Sequence, residues 1–269
     1  MISPFYLADI GCTMPMSFSL HLAYIELQII YIMGSKKMSY KILLFDLDDT
    51  LLDFSANEID SLNKLFYQHG YTFSDELFGV YNSVNKQLWT DYENGTIALD
   101  DVLNSRFSET LLKLGKTVDG IEWENQYREL LGNGHQLMDG ALELCQSLSE
   151  SHRLFIITNG ITNTQIKRLK HAGLDRFFED IFDSQSIGFQ KPSKEFFDYV
   201  IGHIKDFEIR DALIIGDSLN TDIKGGLLSG IDTCWINSKP QKSSAEIQST
   251  YTITSLAELC AICGLEQNA

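Results

Sequence analysis

The sequence predicts an α/β protein: a doubly wound parallel sheet interrupted by an inserted all-helical domain. Three observations predict it. Short, wholly apolar runs such as Ile42-Leu43-Leu44-Phe45 are too continuous for strands with one wet face, so both faces are expected to be buried. Beyond residue 140 such runs alternate with helical stretches, the pattern of right-handed β-α-β crossovers. The block 55–135 between them carries helical periodicity and nothing strand-like.

The first strand is read at 41–45. Ile59, Leu62, Leu65 and Phe66 recur at helical spacing, with Asp53 as the cap before them and Gly70 as the stop. Ser74 caps a second helix that runs to about Glu93, where Asn94-Gly95 breaks it. Two further helices are expected at 100–114 and 121–131, separated by Gly115 and Gly120. Then follow a helix at 142–148 and a strand at 153–157, which ends in Thr158-Asn159-Gly160. A helix at 164–172 precedes a short strand at 180–183. Pro192 is placed in the first turn of a helix at 193–204. A strand at 212–215 ends in Gly216-Asp217-Ser218; a helix at 222–228 and strands at 233–236 and 251–254 complete the series. The expected division is a core of 38–54 and 136–269, a helical cap of 55–135, and an N-terminal extension of 1–37 outside the fold, with Met38 as the natural start.

Composition narrows the class. The 269 residues are 44% hydrophobic and 11% aromatic, which suits a globular chain with a sizeable core. The net charge is −16 and no basic patch stands out, so neither nucleic acid nor an anionic membrane is an expected partner. The apolar stretch 18–33 is interrupted by His21, Glu26 and Gln28, so it makes a poor membrane span. Five cysteines without a framework fit a reducing cytoplasm. Cys260 and Cys263 lack a second ligand pair for zinc and read as helix packing.

The chemistry is concentrated in Asp46-Leu47-Asp48-Asp49-Thr50, at the end of the first strand. Ionised carboxylates are costly to bury unless they are paired or bind a metal. Asp46 and Asp48, two apart on an extended segment, are expected on the same side, where a hard cation relieves their repulsion. Two more strands end in Thr158 and in Gly216-Asp217, and Lys191 supplies one cation before a helix. In open α/β sheets, ligands sit beyond the carboxyl ends of the strands.

Asp46-x-Asp48-x-Thr50, Thr158, Lys191-Pro192 and Gly216-Asp217 with Asp222, in this order, resemble the four motifs of the haloacid dehalogenase (HAD) superfamily. The likeness runs from about Met38 to the C-terminus, and the helical insertion resembles the superfamily's C1-type cap. The resemblance implies that Asp46 is the nucleophile, forming an aspartyl-phosphate, and that Asp48 is the general acid and base. It implies Mg²⁺ held by Asp46, the backbone carbonyl of Asp48 and Asp217. Thr158 and Asn159 are implied as donors to phosphate, Lys191 as the neutralising cation, and Asp222 as the group that orients Lys191 or a metal-bound water. Asp49 and Asp53 read as structural.

The stretch 84–95, with Phe189-Gln190-Lys191-Pro192 and the run 225–235, resembles the bacterial pyrimidine 5′-nucleotidases that also act on noncanonical nucleotides. That likeness implies a Mg²⁺-dependent nucleoside 5′-monophosphatase. It makes Asn85, Lys86, Trp89 and Tyr92 candidates to contact sugar or base. For Trp89 and Tyr92 the competing reading is packing within the cap. The alternatives are a phosphatase or phosphomutase acting on a sugar phosphate or phosphoglycolate-type metabolite, a 2-haloacid dehalogenase, or a scaffold without activity. Asp48 and Asp217 count against the dehalogenase, and the full motif set counts against the scaffold. The oligomeric state is not legible.

Overall fold

The structure, a computed structural model, describes residues 40–238 and 246–265. The expected extension 1–37 lies outside them, as does Cys12. The sheet has six parallel strands in the order β3-β2-β1-β4-β5-β6. They are β1 (Ile42–Phe45), β2 (Arg153–Thr158), β3 (Asp180–Asp183), β4 (Ala212–Gly216), β5 (Asp232–Ile236) and β6 (Tyr251–Ile253). The doubly wound expectation is borne out. The chain winds outward from β1 to β3 and returns to β4 on the other side of β1, so strand order reverses between β1 and β4.

The apolar runs are explained by burial on both faces. Leu43 and Phe45 face a cluster that includes Leu144, Leu148 and Leu169, whereas Ile42 and Leu44 pack with Phe196, Phe197 and Val200. Each such side chain contributes roughly 1.5–3 kcal/mol by leaving water. Besides a single helical turn at Ser184–Ile187, the core helices are α5 (Ala141–Ser149), α6 (Thr162–His171), α7 (Lys194–His203), α8 (Lys224–Ser229) and α9 (Leu259–Cys263).

Between β1 and α5 stand four helices: α1 (Phe54–Gln68), α2 (Asp75–Glu93), α3 (Leu99–Lys113) and α4 (Gly120–Gly132). They share an apolar centre of their own, with Leu62, Phe66, Tyr81, Phe107, Trp123 and Tyr127. Asp53 caps α1 by accepting from Ala56 N, and Ser74 caps α2 by accepting from Leu77 N. The segments entering and leaving this unit run side by side. Leu52 and Leu137 form an antiparallel bridge, flanked by Asp53 N to Gln136 O at 2.9 Å and Met138 N to Leu51 O at 2.9 Å.

Two local readings need correction. Pro192 lies outside the helix, after a cis peptide bond, and Ser193 caps α7 through Phe196 N. The helix expected at 222–228 starts instead as a π-helical turn, Leu219–Ile223, a local widening that recurs at functional sites. Ser218 caps this turn by accepting from Thr221 N. Cys263 is buried and Cys260 half-buried, both as free thiols on α9. Among the described residues, no helix is long and apolar enough to cross a membrane.

Candidate active site

Parallel register brings the strand ends level. Phe45 pairs with Ile156 on β2 and Ile215 on β4, and the Asp46 amide donates to the Ile215 carbonyl at 2.8 Å. Asp46 therefore stands where strand order reverses, the position at which open α/β sheets bind ligands.

Lys191 reaches this point from the loop before α7 and is only 2% exposed. Its Nζ donates to Asp46 Oδ1 at 2.7 Å, Asp222 Oδ1 at 2.6 Å and the Ile157 carbonyl at 2.9 Å. An ammonium has three hydrogens, and all three are directed. Burial works against the charge, but Asp222 and Asp46 outweigh it and hold Lys191 above its usual range. Asn159 fixes the lysine's main chain, accepting from Lys191 N at 2.8 Å and donating to Lys191 O at 3.0 Å. The side chain expected on phosphate is thus engaged in setting the lysine's position.

Asp46, Asp217 and Asp222 each bring a carboxylate oxygen within 4.8 Å of the others. Burial pushes Asp46 up to about 7, opposed by Lys191 and reinforced by Asp222 and Asp48. Burial likewise pushes Asp217 up to about 9, reinforced by Asp46, Asp222 and Asp49. One ammonium does not neutralise three carboxylates. Hard oxygen donors with surplus negative charge suit a divalent cation such as Mg²⁺. Asp222 also accepts from Ser218 N at 3.2 Å. A Cβ on Gly216 would stand 2.3 Å from Asp222 Oδ2, so only glycine lets this carboxylate lie against the strand end.

Asp48 lines the same cavity but turns to different partners. Gln165 Nε2 donates to its Oδ2 at 2.8 Å, and Arg168 Nη1 donates to its Oδ1. Gln165 Nε2 also donates to Thr158 Oγ1 at 3.1 Å, which accepts from Gly160 N at 3.0 Å as well. Asp49, read as structural, has φ of 55° and accepts from Ser55 N and Oγ, each at 3.1 Å; it also borders the cavity.

The cavity has a volume of about 290 Å³ and a roof from the four-helix unit. Asn85, Trp89 and Glu93 of α2 line it, with Arg106 of α3 and Arg128 of α4. Lys86 does not line it: Asn85 and Trp89 are four apart on one helix face, and the next residue points elsewhere, to solvent. Tyr92 is buried, edge-on to Trp89 at 5.8 Å, and its hydroxyl donates to Ser184 Oγ at 3.3 Å. Its carbonyl accepts from Gln190 Nε2 at 2.9 Å. Tyr92 therefore joins the roof to the loop that carries Lys191.

The sequence reading overlooked Gln165, Arg168 and Arg106. Arg106 is buried, paired with Glu124 through two hydrogen bonds of 2.6 Å, and donates to Asn85 Oδ1 at 3.3 Å. The available signal was a helix whose inward stripe is polar: the buried residues of α6 are Thr164, Gln165, Arg168 and Leu169. A polar stripe facing a core asks for partners, and here the partners are in the site.

The chain belongs to the haloacid dehalogenase-like hydrolases. Its residues 40–230 match that family's profile. YfnB of Bacillus subtilis, named as a HAD-hydrolase, is 46% identical over 227 residues, covering 84% of this chain and 97% of YfnB. A crystal structure of YfnB bound to magnesium superposes with a TM-score of 0.81, covering 84% of this chain and 99% of that one. The pyrimidine 5′-nucleotidase PynA of Streptococcus pneumoniae is 38% identical, covering 82% of this chain and 94% of PynA. The pyrimidine 5′-nucleotidase YjjG of Escherichia coli is 31% identical, covering 82% and 97%. These relatives agree with the resemblance to the bacterial nucleotidase subgroup.

Proposed function

We propose that this chain is a Mg²⁺-dependent phosphomonoester hydrolase that works through an aspartyl-phosphate, with a pyrimidine nucleoside 5′-monophosphate as substrate. One observation carries the reading: Lys191 is buried between Asp46 and Asp222 at the reversal of strand order, on the floor of a roofed cavity. Such an arrangement fits a carboxylate nucleophile that must accept a doubly charged phosphate. The relatives PynA and YjjG support the substrate class.

In this reading an Asp46 carboxylate oxygen attacks phosphorus in line with the departing ester oxygen. Lys191 stabilises the negative charge shared between Asp46 and the phosphoryl oxygens. Thr158 Oγ1 accepts from Gln165 and Gly160, which leaves its own hydrogen for a phosphoryl oxygen. Asp48 protonates the leaving oxygen and then takes a proton from the water that hydrolyses the phosphoenzyme. Asp46 and Asp217, with the Asp48 carbonyl, would hold the Mg²⁺, which when bound offsets the charge between carboxylates and phosphate. The roof excludes bulk water and presents Asn85 and Trp89 to the sugar and base.

The test is Asp46→Asn with uridine 5′-monophosphate and Mg²⁺. An amide is not this nucleophile, so phosphate release should fall by at least about a thousandfold. Turnover within tenfold of the parent, on the order of 1.4 kcal/mol in barrier, would remove Asp46 from the role.

A further inference from the structure

We propose that Arg168 and Gln165 form a holding site for the Asp48 carboxylate and so position it for its alternating duties. The proposal rests on the phosphatase reading above, in which Asp48 is the acid and base.

Four observations support it. First, each oxygen of Asp48 has its own donor, Gln165 Nε2 at 2.8 Å on Oδ2 and Arg168 Nη1 on Oδ1. Second, the two donors brace each other, because Arg168 Nη1 also donates to Gln165 Oε1 at 3.0 Å. Third, the pocket around Gln165 is shaped for it. A Cβ on Gly160 would stand 2.2 Å from Gln165 Nε2, so the Thr158-Asn159-Gly160 turn makes room for this amide. Fourth, Arg168 is a poor stability device. It is 1% exposed, its one ion-pair partner among the described residues is Asp48, and its Nε meets no acceptor there. A buried cation with an unpaired N–H is costly, and its pair with a half-buried carboxylate repays little of that. Phe54, the first residue of α1, covers the guanidinium at 5.4 Å and fixes it from the other side.

The chemistry needs such a site. As the Asp46 oxygen–phosphorus bond forms and the ester oxygen–phosphorus bond breaks, the Asp48 proton passes to the leaving oxygen. The resulting carboxylate then takes a proton from water as that water's oxygen bonds phosphorus and the Asp46 oxygen leaves. Between these steps Asp48 must stay aimed at one spot. Arg168 and Gln165 touch no reacting atom, so they are positioning residues.

The experiment is rapid-quench kinetics on Arg168→Met, Gln165→Leu and Arg168→Lys, with Mg²⁺ and two substrates. p-Nitrophenyl phosphate has a leaving group that needs no proton; uridine 5′-monophosphate has one that does. In Arg168→Met, first-turnover release of p-nitrophenol should stay within about threefold of the parent; in Gln165→Leu, which also frees Thr158 Oγ1, it should fall at least about threefold less than on the nucleotide. Later turnovers should slow about tenfold or more, giving a burst and an accumulated phosphoenzyme. On the nucleotide the first turnover itself should slow about tenfold or more, with KM within about threefold and partial recovery in Arg168→Lys. Equal losses on both substrates without phosphoenzyme accumulation, or no loss at all, would overturn the proposal. If Arg168→Met does not fold by circular dichroism, Gln165→Leu decides alone, since it removes no charge. A parent enzyme that cleaves p-nitrophenyl phosphate but not the nucleotide refutes the nucleotide reading only, and glycerol 3-phosphate then serves as the second substrate. A parent that cleaves none of the three refutes the phosphatase reading and the holding site with it.

Discussion

At the residue scale, on the proposed reading, the floor of the site holds the chemistry and the roof holds the choice of substrate. Trp89 sits in the roof and touches Tyr92 edge-on at 5.8 Å. If a nucleobase stacks there, Trp89→Ala should lower kcat/KM for uridine 5′-monophosphate by about ten- to a hundredfold, since base–aromatic stacking is worth roughly 1–3 kcal/mol. The same variant should change p-nitrophenyl phosphate hydrolysis by less than about threefold. Equal losses on both would assign Trp89 to packing. Asp46, Asp48, Thr158, Lys191 and Asp217 were legible because each stands at the end of an apolar run or beside a helix start, and all five border one cavity. That Lys86 faces away from the cavity and Arg168 faces into it was not legible, for one reason. Which way a side chain points around a helix is decided by the neighbours that the helix packs on, and those come from elsewhere in the chain.

At the scale of elements, boundaries followed local chemistry where a side chain caps a helix. Asp53 accepts from Ala56 N at 2.9 Å and Ser74 from Leu77 N at 3.2 Å, and both starts were readable from the residue type. Asp53→Ala should cost about 1 kcal/mol in unfolding by denaturant, with the denaturant slope unchanged. A cost below about 0.3 kcal/mol would mean that the ribbon before α1 already fixes the helix start. The Leu219–Ile223 turn escaped the sequence reading because a π-turn has no residue signature of its own. It exists where Asp222 must reach back to Lys191 and to Ser218 N. The all-parallel sheet was legible from its apolar runs, whereas the position of Pro192 two residues before its helix depends on Ser193 taking the cap.

For the whole molecule, the buried carboxylates predict how stability follows pH. Asp46 and Asp217 rise from 3.8 to about 7 and about 9 on folding. The folded state therefore binds more protons than the unfolded one above pH 3.8, and stability should fall as pH rises through that window. In EDTA the melting temperature should drop between pH 5 and pH 8. Mg²⁺ should restore it most at the upper end, where the carboxylates are ionised and the ion binds only the folded chain. An Asp217→Asn variant should show a smaller drop and a smaller Mg²⁺ response; an unchanged response would place the ion elsewhere. The paired ribbon at Leu52 and Leu137 has a further consequence. Residues opposed in an antiparallel pair lie about 5 Å apart, a gap that a two-residue turn spans. The chain could therefore be rejoined across the four helices without stretching the backbone. A chain cut and rejoined there would keep all six strands, along with Asp46, Lys191 and Asp217, and on the proposed reading should hydrolyse phosphate esters with less discrimination among them.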